Sequence, residues 1–261
     1  DPQQAIKGDF PHFMLKEIFE QPDAISRTIM TIPNQIKKSL NLLLEAETIY
    51  LVGAGSSFYS SLYAEYLYNW YGIKTVSVIA SEFEYSFAKV MDQGDVVVAV
   101  SQSGETFDTI QAVKAAKERG AKVIGLTNNM ASTISRISDL SLVMGAGPDI
   151  VVVATKTFTT QIVSFLLILE ALSRELGVDF DVQSEQLRRI PQILSKYLRE
   201  IDGIARIISK DLEKSSNVYY LGRRLGLPIA LEGALKSGGK EARGRGAYGD
   251  ISYAFDLAVE E

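Results

Sequence analysis

Six residues between a greasy run and an amphipathic segment, SQSGET at 101–106, concentrate the polar chemistry of this chain. Ser101, Ser103 and Thr106 bring hydroxyls, Gln102 a carboxamide, and Gly104 lets the backbone come close to whatever is held. A turn that feeds a strand into a helix leaves backbone N–H groups unpaired at the helix start, and the helix dipole adds positive potential there. That combination suits a phosphate. The lysine of a P-loop is missing, so a nucleoside triphosphate is not expected. A second turn of the same kind, GAGSS at 53–57, offers Ser56 and Ser57 as donors. It resembles a dinucleotide fingerprint only loosely, because the third glycine is absent and the nearest acidic residue for a ribose is Glu82. Ser and Thr are also the preferred helix caps, so either turn alone fits plain capping. Two hydroxyl-rich turns on one sheet favour a phosphorylated small molecule.

The rest of the composition narrows the chemistry. The chain has no cysteine, which removes thiolate catalysis, disulfides and cysteine metal sites together. Its one histidine, His12, cannot build a histidine metal cluster or a relay. No metal and no cofactor are expected. Net charge is −5 and the basic residues are scattered, which argues against a nucleic-acid partner. The longest apolar run, around 162–169, is too short to cross a bilayer and runs into Glu170. No membrane association and no signal peptide are expected, so a cytoplasmic location is.

The elements that must position the two turns follow from periodicity. The first fifty residues predict helices, FMLKEIFEQPDAISRTIM around Pro22 and then IPNQIKKSLNLLLEAE. Strands are expected near 48–53, 75–79, 95–100, 122–127 and 140–144, with helices between them. Alternation of this kind predicts a parallel sheet covered on both faces. After Pro148 the chain turns helical, with one long helix from TKTFTTQ onward and one or two more in SEQLRRIPQILSKYLREIDGIARIISKDLEKS. NVYYLGRRLGLPIALEGALK then returns to a strand–glycine–helix pattern. It echoes TIYLVGAGSSFYSSLYAEYL about 170 residues earlier, so an internal repeat is expected to begin near Asn217.

Four motifs taken in order resemble one family. SQSGET is a hallmark of sugar isomerase (SIS) domains. Together with HFMLKEIFEQP at 12–22, AGPDIVVVATKTFTTQ at 146–161 and LEGALK at 231–236, it resembles the isomerase half of the glutamine–fructose-6-phosphate amidotransferases. The resemblance implies an α/β fold, a three-layer αβα SIS unit with a five-stranded parallel sheet, followed by helices and a second, incomplete SIS-like unit. The implied divisions are an N-terminal helical segment at 1–45 after an interdomain linker, a first SIS domain at 46–177, and connecting helices with a partial second SIS domain at 178–261. It implies a hexose 6-phosphate partner, with the phosphate among Ser101, Gln102, Ser103 and Thr106. Ser57, with the backbone near Ser56 and Val152, would hold sugar hydroxyls, and Lys236 would stand near the reacting carbons. A glutaminase domain N-terminal to Asp1 and a homodimer are the implied partners. The aromatic helix holding Tyr59, Tyr63, Tyr66, Tyr68, Trp70 and Tyr71 is the expected dimer surface, the alternative being packing within the chain.

The sequence departs from the family beyond LEGALK, where SGGKEARGRGAYGDI replaces the segment with the family's second lysine, carboxylate and ring-opening histidine. Glu241 lies about two residues out of place for that carboxylate, and Glu232 and His12 are read as structural. If EARGRGA echoes KERGA, the second unit is shorter than the first by roughly 45 residues. Three functions stay open: the isomerase domain of a glucosamine-6-phosphate synthase, a stand-alone glucosamine-6-phosphate deaminase, and a sugar-phosphate-binding protein without catalysis.

Overall fold

The computed structural model describes residues 7–151, 154–181, 184–212 and 217–237. The chain divides into two compact units, 1–192 and 193–261. In the first, α1 (Phe13–Phe19) and α2 (Gln21–Glu45) precede β1 (Ile49–Gly53), α3 (Ser56–Trp70), β2 (Thr75–Ile79), α4 (Ala80–Ser86) and β3 (Val96–Ser101). Then come α5 (Phe107–Glu118), β4 (Lys122–Thr127), α6 (Thr133–Ile137), β5 (Leu140–Val143), α7 (Lys156–Leu176) and α8 (Ser184–Leu187). The five strands run parallel in the order β2-β1-β3-β4-β5. Every residue of β1 and β3 is buried, as a sheet covered on both faces requires. On one face Tyr50, Val52, Val97, Ala99 and Val123 pack with Phe83 of α4, Val113 of α5 and Ile134 of α6. The alternate residues, Leu51, Val98, Val100, Ile124 and Leu126, are buried on the opposite face. The expected α/β architecture and its five parallel strands are therefore borne out.

The order reverses between β1 and β3. From β1 the chain adds β2 on one side, then crosses back to place β3 on the other. Such a reversal splays the two connecting loops apart and opens a crevice at the carboxyl ends of the two strands, the general binding place of open α/β sheets. Gly53 at the end of β1 lies opposite Val100 of β3, so GAGSS and SQSGET leave the sheet side by side at that crevice.

The N-terminal helices differ from the sequence expectation in where they break. Pro22 falls in the first turn of α2, where its missing N–H has no intrahelical partner to lose, and α1 stops before it. The two predicted segments, FMLKEIFEQPDAISRTIM and IPNQIKKSLNLLLEAE, are divided elsewhere: the break falls at Glu20, and α2 runs on through Pro33. Ile25, Ile29, Ile32, Ile36 and Leu43 form one buried stripe across the proline. Burying each is worth about 1.5–3 kcal/mol, against a penalty of about 3 kcal/mol for an interior proline. Pro33 lies on the exposed side, and the Asn34 side chain donates to the Met30 carbonyl beside it (2.7 Å).

Helices α3 and α7 pack closely. Tyr68 is fully buried, and its hydroxyl donates to the Phe165 carbonyl at 2.9 Å while its ring meets Phe165 edge-on. Burial pushes its phenol well above the ordinary value. Tyr59 is buried as well, and Tyr71 packs edge-on against Phe180. Most of the aromatic crowding on α3 is thus taken up within the chain, with Trp70 the most exposed of the six at 71%.

The second unit holds most of α9 (Ile190–Leu212), which begins in the first unit, and α10 (Gly226–Ser237). The strand expected at the start of the repeat is absent from the described residues: 217–223 have no regular structure, and Tyr219 and Leu221 are exposed. A strand needs a neighbour for its ladder, and none of the described residues of this unit offers one. The turn that follows nevertheless repeats the first. A side chain at Gly53 would strike the Ser57 carbonyl at 2.9 Å, and one at Gly222 would overlap the Gly226 carbonyl, four residues on in each case. Two residues after each glycine the backbone is left-handed, at φ 54° for both Gly55 and Arg224.

Candidate functional site

Ser101 closes β3 and is buried. Its Oγ accepts the Gly104 N–H at 3.0 Å and lies 2.9 Å from Thr106 Oγ1, while Ser103 Oγ accepts the Glu105 N–H at 3.1 Å. The loop is braced from the α6 side. Gln102 and Gly104 carbonyls accept from Asn128 and Ile134 (3.0 Å each), and the Glu105 carboxylate accepts the Thr133 N–H at 2.7 Å. Those bonds from Thr133 hold the exposed Glu105 carboxyl below its usual range. Gly104 adopts φ +67°, and any side chain there would overlap Ser132.

Plain capping is not what these hydroxyls do. Thr106 is the cap residue of α5, yet its side chain bonds none of the α5 amides and turns to Ser101 instead. Gly55 is the cap residue of α3 and has no side chain with which to cap it. Neither helix start at the crevice carries a side-chain cap, and in α3 the Ser57 and Phe58 amides turn back to the Ala54 and Gly55 carbonyls at 3.1 and 2.9 Å. Ser56 and Ser57 open α3, and Ser57 Oγ accepts from Gln161 Nε2 of α7 at 2.9 Å.

Of the other residues singled out from the sequence, Val152 lies outside the described residues, as does Glu241. Lys236 is on α10 in the second unit, ion-paired with Glu232 at 2.7 Å and one quarter exposed. His12 sits exposed at the start of α1 and makes no side-chain cap bond.

Sequence reasoning missed a charged cluster where α1 and α2 meet the start of α7. Lys156 is 2% exposed, 2.6 Å from Glu20, and donates to the Pro148 carbonyl. It lines a cavity of about 160 Å³ with Glu20, Asp23, Arg27, Gly147 and Pro148. Buried Glu17 accepts the Ile150 and Val151 N–H groups (2.7 and 3.3 Å), and Asp149 accepts the Thr157 hydroxyl (2.9 Å). Nothing in the spacing marked Glu17 or Lys156 for burial, since charged residues on helices ordinarily face water. Burial, and then the neighbouring Glu17, push the Asp149 carboxyl up to about 7, against the pull of Thr157 and Lys156. A carboxyl raised in the fold stabilises it fully below its ordinary value of 3.8 and loses that contribution as pH climbs through the folded value of about 7. The melting temperature should accordingly fall from pH 5 to pH 7 and then level. Asp149→Asn should flatten that slope in thermal melts, and an equal slope in the variant would locate the titration elsewhere.

With this geometry in place, comparison with known proteins is informative. The SIS domain family matches residues 42–171. The fold and this match define a sugar isomerase domain protein. The C-terminal domain of glucosamine-fructose-6-phosphate aminotransferase from Francisella tularensis superposes with a TM-score of 0.81 at 32% identity, over 88% of this chain and 68% of that one. The chain belongs to this family of aminotransferase isomerase domains, as its motifs suggested. The glutamine–fructose-6-phosphate aminotransferase (isomerizing) of Pyrobaculum aerophilum is 43% identical over 90% of this chain, and the chain spans only 39% of that relative's length. A glucosamine-6-phosphate deaminase from Thermotoga maritima shares the fold at 26% identity and a TM-score of 0.65, over 85% of this chain and 65% of that one. Among the described residues no helix is long and apolar enough to cross a membrane, and no group of side chains could hold a metal ion.

Proposed function

We propose that this chain is the sugar-phosphate isomerase part of a glucosamine-6-phosphate synthase. It would bind fructose 6-phosphate and yield glucosamine 6-phosphate when joined to a glutaminase domain on its N-terminal side. The observation that carries this reading is the pair of hydroxyl-rich turns at the strand-order reversal, each opening a helix whose amides have no side-chain cap. The phosphate sits among Ser101, Gln102, Ser103 and Thr106. Ser57 and the backbone near Ser56 and Val152 take sugar hydroxyls. The role at the reacting carbons is assigned to Lys236, since an amine can engage the open-chain carbonyl. Residues 46–177 form the first SIS domain, and 178–261 carry the connecting helices and the start of a second. The turn geometry shared by Gly53 and Gly222 supports that repeat.

The test is Ser103→Ala. A hydrogen bond to a charged group is worth about 1.5–3 kcal/mol, so the variant should bind fructose 6-phosphate about tenfold or more weakly by calorimetry, with little change in melting. Equal affinity would reduce the loop to a structural turn. The likeness to the deaminase favours a second reading, in which the same site releases ammonia from glucosamine 6-phosphate. A cytoplasmic homodimer completes the proposal, with exposed Trp70 and Tyr66 as contact residues. Light scattering at micromolar concentration should give twice the chain mass, and a monomer would remove the dimer from the reading.

A further inference from the structure

Helices α3 and α7 meet along a seam of small hydroxyls that is unusual in carrying one long polar side chain. Ser60 and Ser61 of α3 are fully buried there, and Gln161 of α7 is 1% exposed. Ser57 keeps 9% of its surface, so it stands at the margin of the seam, at the end facing the crevice turns. Gln161 touches α3 twice. Ser60 Oγ lies 2.7 Å from its Oε1, and its Nε2 lies 2.9 Å from Ser57 Oγ.

Counting protons fixes the direction of this chain of bonds. Ser60 has one hydroxyl proton and two acceptors within reach, Gln161 Oε1 and the Ser57 carbonyl at 2.9 Å. That carbonyl already receives the Ser61 hydroxyl at 2.8 Å, and as a carbonyl inside α3 it also receives the amide four residues on. Both of its lone pairs are served. The Ser60 proton therefore belongs to Gln161 Oε1. The amide then faces Ser57 with its NH₂ group, and Ser57 Oγ is an acceptor on that side. Its own proton is left to point away from the seam.

We infer that Gln161 is a positioning residue that sets Ser57 as a hydrogen-bond donor toward a hydroxyl or carbonyl oxygen of the bound sugar. This rests on the proposed sugar-phosphate site and adds a direction to one of its contacts. A glutamine is suited to the task because it offers a donor and an acceptor at once. A carboxylate in its place only accepts, so it would draw both serine protons inward and present bare lone pairs to the sugar.

The experiment compares fructose 6-phosphate binding by calorimetry in the wild-type chain, Gln161→Glu, Gln161→Met and Ser57→Ala, with each Gln161 change repeated in the Ser57→Ala background. Inorganic phosphate serves as a second probe. The expected result is a loss of about tenfold for Gln161→Glu, comparable to Ser57→Ala. Gln161→Met, which frees the hydroxyl to rotate, should lose less. In the Ser57→Ala background neither change should weaken binding further by more than about twofold, and competition by inorganic phosphate should stay level throughout. Gln161→Met carries the test if the buried carboxylate unfolds the chain. Full affinity in Gln161→Glu, or losses that persist undiminished without the Ser57 hydroxyl, would overturn the inference and leave Gln161 a packing residue. A wild-type chain that binds no fructose 6-phosphate, or a Ser103→Ala variant that binds as well as wild type, would instead overturn the site reading itself.

Discussion

Alanine at position 104 should cost the chain most of its affinity for fructose 6-phosphate, on the order of a hundredfold. Gly104 adopts φ +67°, and a methyl group there would overlap Ser132 Oγ and Cβ. A left-handed residue with a side chain costs about 1–2 kcal/mol, and forcing a methyl into a filled site costs about 1–3 kcal/mol more. The loop can escape only by pulling away from Ser132. That breaks the bond between the Gly104 carbonyl and Ile134 N–H and moves the Gly104 amide off Ser101 Oγ. Since each 1.4 kcal/mol is tenfold in affinity, a hundredfold loss lies in the lower part of this range. The overlapping atoms are all from one side chain, so Ser132→Gly should restore part of the affinity of Gly104→Ala and leave the backbone strain. Titration calorimetry on the single and double variants measures both. Wild-type affinity in Gly104→Ala would mean that the ligand does not touch this loop.

The second large effect concerns turnover. The 261-residue chain should bind hexose phosphates and yet convert fructose 6-phosphate to glucose 6-phosphate slowly. Opening a sugar ring needs a proton delivered to the ring oxygen, and a placed general acid supplies about 10²–10⁴-fold in rate. His12 is the only histidine, and it lies exposed at the head of α1. Lys236 is held by Glu232. A coupled assay for glucose 6-phosphate should therefore show turnover about 10²–10⁴-fold below that of a relative carrying the histidine. Full turnover would demand another acid. Asp149, with its carboxyl held up to about 7, is the first to replace.

The sheet was legible because its strands are short runs rich in Val, Ile and Leu bounded by turn residues, a signal that needs no tertiary context. Both crevice turns were legible for the same reason, since their chemistry is local. What sequence could not supply was anything decided by a distant partner. The segments FMLKEIFEQPDAISRTIM and IPNQIKKSLNLLLEAE read as separate helices until the stripe from Ile25 to Leu43 is seen to be buried on one surface. Residues 217–221 read as a strand because their composition is right, while pairing depends on a neighbour that composition cannot reveal. Gln161 and Ser57 are 104 positions apart, and Lys156 and Glu20 are 136 apart. Gln161, Lys156 and Glu20 each read alone as ordinary helix residues, and only the packing of α7 against the earlier helices gives them a role.

The ion pair between Lys156 and Glu20 also bears on how such domains can be exchanged between proteins. The SIS match opens at residue 42, inside the last turn of α2. A fragment cut there would keep Lys156 and discard Glu20, together with the Glu17 carboxylate that holds the Ile150 and Val151 amides. It would also lose the buried stripe Ile25, Ile29, Ile32 and Ile36 of α2, at about 1.5–3 kcal/mol for each side chain, a large part of the stability of most domains. The stretch that the family model outlines is thus smaller than the packed core it belongs to. A graft that respects the physics must carry the two leading helices with the sheet, so those helices travel as inheritance rather than as a spacer.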